Sequence, residues 1–211
     1  MNTELKLRSE IVRFSQKLHQ AGFIAGADGN LSCRLNDGNI LITPSGVSKG
    51  DLNPDELIII DPDGNLIAGA GRPSSESKMH TIIYRHCPHV QAIIHAHPQI
   101  TTAFTMAGRK FSTKSLPEGI ISLSHLVWLD YATPSTEDLP ALFRPHLPQA
   151  DIFILKQHGV TCTGVDLGKA FGKLETVEHV ARTGFYASQL GRVEDLPDDE
   201  IERIKLLFKK G

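Results

Sequence analysis

Cysteine is scarce in this 211-residue sequence, and Cys33, Cys87 and Cys162 are odd in number, far apart and in no C-x-x-C pair. That excludes a disulfide framework and a cysteine-rich zinc site. Excess charge of one sign is lacking too: the formal net charge is -2, which leaves no electrostatic footprint for nucleic acid. No apolar run is long enough to span a bilayer, and the opening residues MNTELKLRSEIVRF carry Glu4 and Glu10 where a signal peptide needs a continuous apolar core. The expectation is a cytoplasmic protein with neither a membrane nor a nucleic-acid partner. Repeats and low-complexity linkers are also missing. At this length, with 40% hydrophobic and 22% charged residues, residues 1–211 are read as one domain with a substantial core.

What is present has a mixed rhythm. Leu7, Ile11, Phe14 and Leu18 recur at spacings of four and three, which predicts an amphipathic helix from Thr3, its cap, to Gln20. LSCRL and ILIT flank Asn36-Asp37-Gly38-Asn39, and LIIID and NLIAG flank Pro62-Asp63-Gly64, so two hairpins follow. A helix is expected from Ser74 to about His86, a strand over VQAIIHAH and a short helix over ITTAFTMAG. Further on, a strand region near Ile120 to Trp128, a helix near Thr136 to Arg144 and a strand over DIFILKQ are expected. Two helices close the chain, over Asp166 to Leu190 and about Asp198 to Lys209. Hairpins alternate with helices without a regular βαβ beat. The fold class is therefore α/β, a layered α/β/α domain around a mixed, largely antiparallel central sheet.

Ten histidines is the unusual count. In AIIHAHPQI, His95 and His97 lie one residue apart on an expected strand, so they point to the same face, and Pro98 ends the strand. DIFILKQHG is a second strand ending in a histidine, His158, before Gly159. Three histidines from two strand ends, with one position open, form a catalytic zinc arrangement, since a structural site is closed by a fourth protein ligand. The cluster of His86, Cys87 and His89 is interrupted by Pro88 and reads as a surface loop. His80, four residues after Glu76, reads as a hydrogen-bonded structural partner.

Anion-binding signals accompany the histidines. In RPSSESKMH, Ser74 and Ser75 are expected to open a helix, where hydroxyls and free backbone N–H groups suit a phosphate. ITPSGVSKG offers Thr43, Ser45 and Gly46, and GADGNLS offers Gly29 and Asn30. Two small-residue loops and a helix start are what a nest of neutral donors requires.

GADGNLS, ITPSG, PSSE, HAH and QHG, in this order, resemble the class II aldolase/adducin family over roughly residues 5 to 190. PSSE with glutamate is similar to the L-fuculose-1-phosphate aldolase branch, whereas sugar-phosphate 4-epimerases usually carry aspartate there. The resemblance implies one Zn2+ per chain on His95, His97 and His158, with Glu76 as acid/base. It also implies a phosphorylated sugar held by Asn30, Ser45, Gly46, Ser74 and Ser75, and a homotetramer with active sites between subunits. The implied reaction is cleavage of a ketose 1-phosphate to dihydroxyacetone phosphate and a short aldehyde. One departure stands out. Where the aldolases carry a catalytic tyrosine about twenty residues after His-x-His, this chain reads KSLPEGI, and Glu118 is the side chain there suited to acid/base work. The tail LLFKKG also lacks the late tyrosine. Methylthioribulose-1-phosphate dehydratases of the family use a glutamate from the corresponding region, so a zinc dehydratase is the alternative. A 4-epimerase and a non-catalytic adducin-like protein stand behind it.

Overall fold

The computed structural model describes residues 3–208. Helix α1 (Thr3–Gln20) turns Ile11, Phe14 and Leu18 into the core, as the three-and-four spacing requires. Two hairpins follow, β1 (Asn30–Arg34) with β2 (Ile40–Ile42) and β3 (Ile58–Ile60) with β4 (Leu66–Ala68). Their turns close on carboxylates: Asp37 accepts the backbone N–H of Asn39, and Asp61 accepts those of Asp63 and Asn65. The chain continues through α2 (Ser77–His86), β5 (Ala92–Ala96), α3 (Gln99–Met106), α4 (Pro117–Ser122), β6 (Leu126–Leu129) and α5 (Asp138–Phe143). It ends with β7 (Ile152–Leu155), β8 (Gly159–Gly164), α6 (Leu167–Leu190) and α7 (Asp198–Phe208). The expected end of the last helix at Lys209 lies outside the described residues.

The eight strands among the described residues form one sheet in the order β4-β3-β2-β1-β5-β8-β7-β6. Only β6 and β7 run parallel; every other neighbouring pair is antiparallel. Alternation sends Leu31, Cys33, Ile94, Ala96, Ile152 and Cys162 to one face, where they pack with α1 and α6. It sends Ile40, Ile42, Ile58, Ile60, Ile93 and Phe153 to the other, against Met79 and Ile83 of α2 and Leu139 and Phe143 of α5. The result is the α/β/α layering and mixed, largely antiparallel sheet that the sequence predicts. Cys33, Cys87 and Cys162 are free and buried. No helix among the described residues is long and apolar enough to cross a membrane.

Three local expectations are corrected. The strand region expected from Ile120 begins instead as α4, because Pro117 at the first helical position presets the backbone for a helix. Strand β8, GVTCTG, was not expected, since its small and polar residues show no apolar alternation. It is a strand because β5 and β7 flank and pair it on both edges. Helix α2 starts at Ser77 rather than Ser74, because the Ser74 hydroxyl accepts the Glu76 N–H and the Ser74 carbonyl accepts that of Ser77. Those bonds make a turn ahead of the helix.

The start of α3 is held from outside. Its cap is Pro98, which has no polar side chain to offer. The buried Glu178 of α6 takes that role, accepting from the N–H groups of Ile100 and Thr101 at 2.9 Å each and from the Thr101 hydroxyl at 2.7 Å. A carboxylate there also meets the positive end of the helix dipole. Glu178→Ala leaves these donors unpaired in a dry site, at a cost of about 1–3 kcal/mol for a buried unsatisfied group. The midpoint of thermal unfolding should fall by at least about 2 °C for a chain of this size. An unchanged midpoint would show that water replaces the carboxylate.

Candidate active site

Three strands set out the site in one row. Asn30 of β1 pairs with His95 of β5, and His95 pairs with Thr161 of β8, so all three side chains share the sheet face covered by α2. His97 lies just past the end of β5, where its N–H donates to the Phe23 carbonyl at 2.8 Å. His158 sits in the turn between β7 and β8 after Gln157, which has a left-handed φ of 54°. Gly159 begins β8 where a Cβ would lie 2.4 Å from the Ala96 carbonyl oxygen and 2.6 Å from Cδ2 of His97. Only a residue without a side chain lets the two strand ends close this far.

The three imidazoles converge. Nε2 of His95 lies 3.1 Å from Nε2 of His97, and ring centroids are separated by 5.0, 4.8 and 5.2 Å. Each ring offers a nitrogen to one point, all within 4.8 Å of one another, a cluster that can hold a metal ion. The protonation pattern suits that role. The Thr161 hydroxyl donates to Sδ of Met79 at 3.2 Å, so its oxygen accepts from Nδ1–H of His95 at 3.0 Å. That leaves Nε2 of His95 as a bare lone pair aimed at the cluster, with its tautomer fixed by the outer hydrogen bond. Nδ1 of His97 lies 3.8 Å from the carboxylate of Asp28. Burial pushes His95 well below the ordinary imidazole range, against the pull of Glu76, and lowers His97 as well. Deprotonated imidazole is the form that binds metal.

Glu76 closes the site from the turn before α2. Its Oε1 lies 2.8 Å from Nε2 of His158, and its Oε2 lies 3.6 Å from Nε2 of His95 and accepts from the Asn30 amide at 2.7 Å. Burial works against ionisation here, but the hydrogen bonds from His158 and from the Asn30 amide outweigh it. The carboxyl is held well below the usual carboxylate range.

Beside the histidines lies a cleft of about 200 Å³. It is lined by residues from the GADGNLS loop, by Ser45 and Gly46, by Ser74, Ser75 and Glu76, and by His97. The expected phosphate donors and the acid/base thus face one space. Asn30 is more committed than the sequence suggests: it is buried, its Nδ2 donates to Glu76 and its Oδ1 lies 2.5 Å from Nε2 of His80, so one amide N–H remains for an anion. Thr43 is buried and caps the Leu31 N–H, outside the cleft. Glu118 is exposed on the first turn of α4 and does not line the cleft. His86 and His89 are exposed, but only His89 lies in a loop: His86 ends α2, and Cys87 between them is buried.

Sequence reasoning overlooked Lys49, Asp28 and Thr161. Lys49 is buried in the cleft wall, its ammonium donating to the Ala27 and Val47 carbonyls, and burial lowers its pKa. A single lysine in a Ser/Gly loop carries no distinguishing pattern. Thr161 becomes visible only once β8 is paired with β5.

The sequence matches the family described as Class II Aldolase and Adducin N-terminal domain over residues 9–184. The chain is 33% identical to an L-fuculose phosphate aldolase of Methanococcus vannielii, covering 82% of this chain and 92% of that one. It is 28% identical to a 3-oxo-tetronate 4-phosphate decarboxylase of Haemophilus influenzae, over 96% and 98% of the two chains. It is 30% identical to a 5-methylthioribulose-1-phosphate/5-deoxyribulose-1-phosphate aldolase of Rhodospirillum rubrum, over 98% and 93%. Among solved structures, an L-fuculose 1-phosphate aldolase superposes with a TM-score of 0.85 at 28% identity, covering 97% of this chain and 96% of that one.

His80 makes stability depend on pH. Burial lowers its pKa from 6.5 to about 4, against the pull of Glu76. As pH falls below 6.5 the unfolded chain takes up a proton that the folded chain refuses until about pH 4. Stability is therefore intact above 6.5 and declines across that window, by about 3 kcal/mol in all at 1.36 kcal/mol per unit. His80→Gln should flatten this part of the decline in urea unfolding followed from pH 7 to 4.5. Equal slopes for the two proteins would refute a buried neutral His80.

Proposed function

The chain belongs to the class II aldolase and adducin family and is a class II aldolase, a lyase; on that premise we propose that it cleaves a ketose 1-phosphate similar to L-fuculose 1-phosphate. The products are dihydroxyacetone phosphate and a short aldehyde. The observation that carries this reading is the meeting of three imidazole nitrogens with the Glu76 carboxylate beside a cleft of neutral donors. We assign His95, His97 and His158 as the ligands of one divalent ion per chain, with zinc favoured by an all-imidazole set and an open position. When bound, such an ion supplies Lewis-acid stabilisation for the negative charge of an enediolate.

The chain's own groups do the rest. Ser45, Gly46, Ser74, Ser75 and the free amide N–H of Asn30 hold the phosphate, with the Lys49 ammonium in the wall behind them. Anchoring the phosphate fixes the reacting carbons over the histidines, so that binding energy is used for orientation. Breaking the bond beside the carbonyl requires a proton to leave the hydroxyl of the aldehyde half and one to reach the carbon left behind. Glu76, the cleft carboxylate in contact with His95 and His158, is the group assigned to carry it. The relatives named as aldolases and as a decarboxylase support this shared core, since each reaction leaves a carbanion next to a carbonyl.

A second reading, dehydration of a methylthioribulose 1-phosphate, draws on Glu118 standing where the aldolases carry tyrosine; the relative named for 5-methylthioribulose 1-phosphate is an aldolase and supports the substrate class alone. In both readings the 211 residues act as one domain in the cytoplasm, within a homotetramer whose sites lie between subunits. Glu118 then serves a neighbouring subunit's cleft.

Purified protein should carry close to one divalent ion per chain, and alanine at His95, His97 or His158 should lower metal content and activity together. Full activity after exhaustive chelation would end the metal assignment. Glu76→Gln should lower kcat by about 10²- to 10⁴-fold with metal retained. Release of dihydroxyacetone phosphate from L-fuculose 1-phosphate supports the aldol reading, and a dehydrated diketone from methylthioribulose 1-phosphate replaces it. Glu118→Gln should lower kcat with KM little changed, the mark of a contact made in the transition state. A wild-type rate would return Glu118 to the surface.

A further inference from the structure

Behind Glu76 runs a line of buried polar side chains, of which the proposed reaction uses Asn30 alone. Nδ2 of Asn30 lies 2.7 Å from Glu76, and Oδ1 of Asn30 lies 2.5 Å from Nε2 of His80. Nδ1 of His80 lies 2.7 Å from the Ser32 hydroxyl, which lies 2.9 Å from the Tyr84 hydroxyl. His80 and Ser32 are wholly buried, and Asn30 and Tyr84 are nearly so. Polar groups on a sheet face otherwise filled with isoleucine are expensive to bury unless every one is paired.

Elementary bonding rules assign every hydrogen in this line. An ionised carboxylate only accepts, so Asn30 turns its amide N–H to Glu76 and its carbonyl to His80. The His80 nitrogen facing that carbonyl, Nε2, must then carry a proton. A neutral ring has one N–H, so Nδ1 is bare and needs a donor, which is the Ser32 hydroxyl. Ser32 has then used its hydrogen, so Tyr84 donates to the Ser32 oxygen. Burial keeps the Tyr84 hydroxyl protonated and His80 neutral, as this order demands. All four bonds point the same way, toward Glu76. Reversing any one sets two acceptors or two donors face to face in a dry interior.

We propose that His80 is a positioning residue for Glu76: Ser32 and Tyr84 hold it as the Nε2–H tautomer, which locks Asn30 with its amide toward the carboxylate. The Asn30 amide is thereby kept from rotating and presenting its oxygen to Glu76. The carboxylate stays aimed between the histidines and the cleft. This rests on Glu76 being the acid/base of the proposed reaction, whereas the polarity of the line does not.

The test has a spectroscopic arm and a kinetic arm, both on the full chain as purified. With 15N-labelled histidine, the His80 signal is identified by its loss in His80→Gln. It should report a neutral ring protonated at Nε2 from pH 8 to pH 5.5. Ser32→Ala, which removes one hydroxyl, should let the proton move to Nδ1. A charged ring, or a ring protonated at Nδ1 in the unaltered protein at pH 7, would overturn the proposal. In the kinetic arm, L-fuculose 1-phosphate is the substrate. His80→Leu should lower kcat by about 10- to 100-fold with KM little changed, the range typical of groups that orient a site from behind. His80→Gln, whose amide can donate to Asn30 and accept from Ser32, should recover most of that loss. Equal losses in the two variants, or none in His80→Leu, would count against a positioning role. Should His80→Leu fail to fold, a several-fold lower kcat in Ser32→Ala supports the proposal and an unchanged kcat refutes it. Failure of the unaltered protein to cleave L-fuculose 1-phosphate would fault the reaction assignment alone, since the nitrogen signals need no substrate.

Discussion

The pairing of β5 with β1 on one side and β8 on the other is the constraint on which the rest of the molecule depends. Its register lines up Asn30, His95 and Thr161 across three strands. A slip of one residue would turn His95 to the apolar face beneath α1 and α6 and bring Ile94 to the α2 side. The apolar contents of the two faces prevent that slip, because Ile94 and Ala96 belong to one cluster and Ile93 to the other. Hydrophobic burial thus sets the aim of the candidate metal-ligand nitrogens, although it contributes nothing to their chemistry.

Around that row the fold spends polar groups where it would otherwise place aliphatic ones. Ser32, His80, His95, Thr161 and Glu178 are buried in or beside a core made largely of isoleucine, leucine and valine. Each has a partner within hydrogen-bonding distance, and most of those partners come from a different element. Such groups stabilise little in net terms but are costly to leave unmade, so they specify one arrangement rather than adding much to stability. Glu178 illustrates the reach of this effect. A carboxylate on α6 holds the start of α3, and through Pro98 it steadies the chain just after His97.

The same cleft chemistry suits several carbon-bond reactions on phosphorylated substrates, as the differently named relatives of this chain illustrate. Three imidazoles that can hold a metal ion, a carboxylate and a cleft lined with neutral donors suit the part those reactions share. Beyond that shared part, this chain places Asp28 beside His97 and Lys49 in the cleft wall, while Glu118 stands outside the cleft on a separate exposed helix. None of the three is dictated by the core of the fold.

Much of this was legible in the sequence, for physical reasons that differ from element to element. Helix α1 and the two hairpins were readable because spacing and turn residues are local signals. The candidate ligands were readable because imidazoles at strand ends have few other uses. Strand β8 was not, since GVTCTG becomes a strand only when two neighbours supply its hydrogen bonds. Nor was the start of α2, where one serine hydroxyl takes the N–H that a helix start would have left free. The sequence by itself determined the layered α/β class, the family likeness and the identities of the candidate ligands, through composition, period and ordered motifs. Tertiary structure alone decided that Asn30 serves Glu76 and His80 before any anion, that Lys49 lines the cleft and that Glu118 stands outside it. Those facts depend on which distant side chains meet, and hydrogen-bond direction and burial exist only once they do.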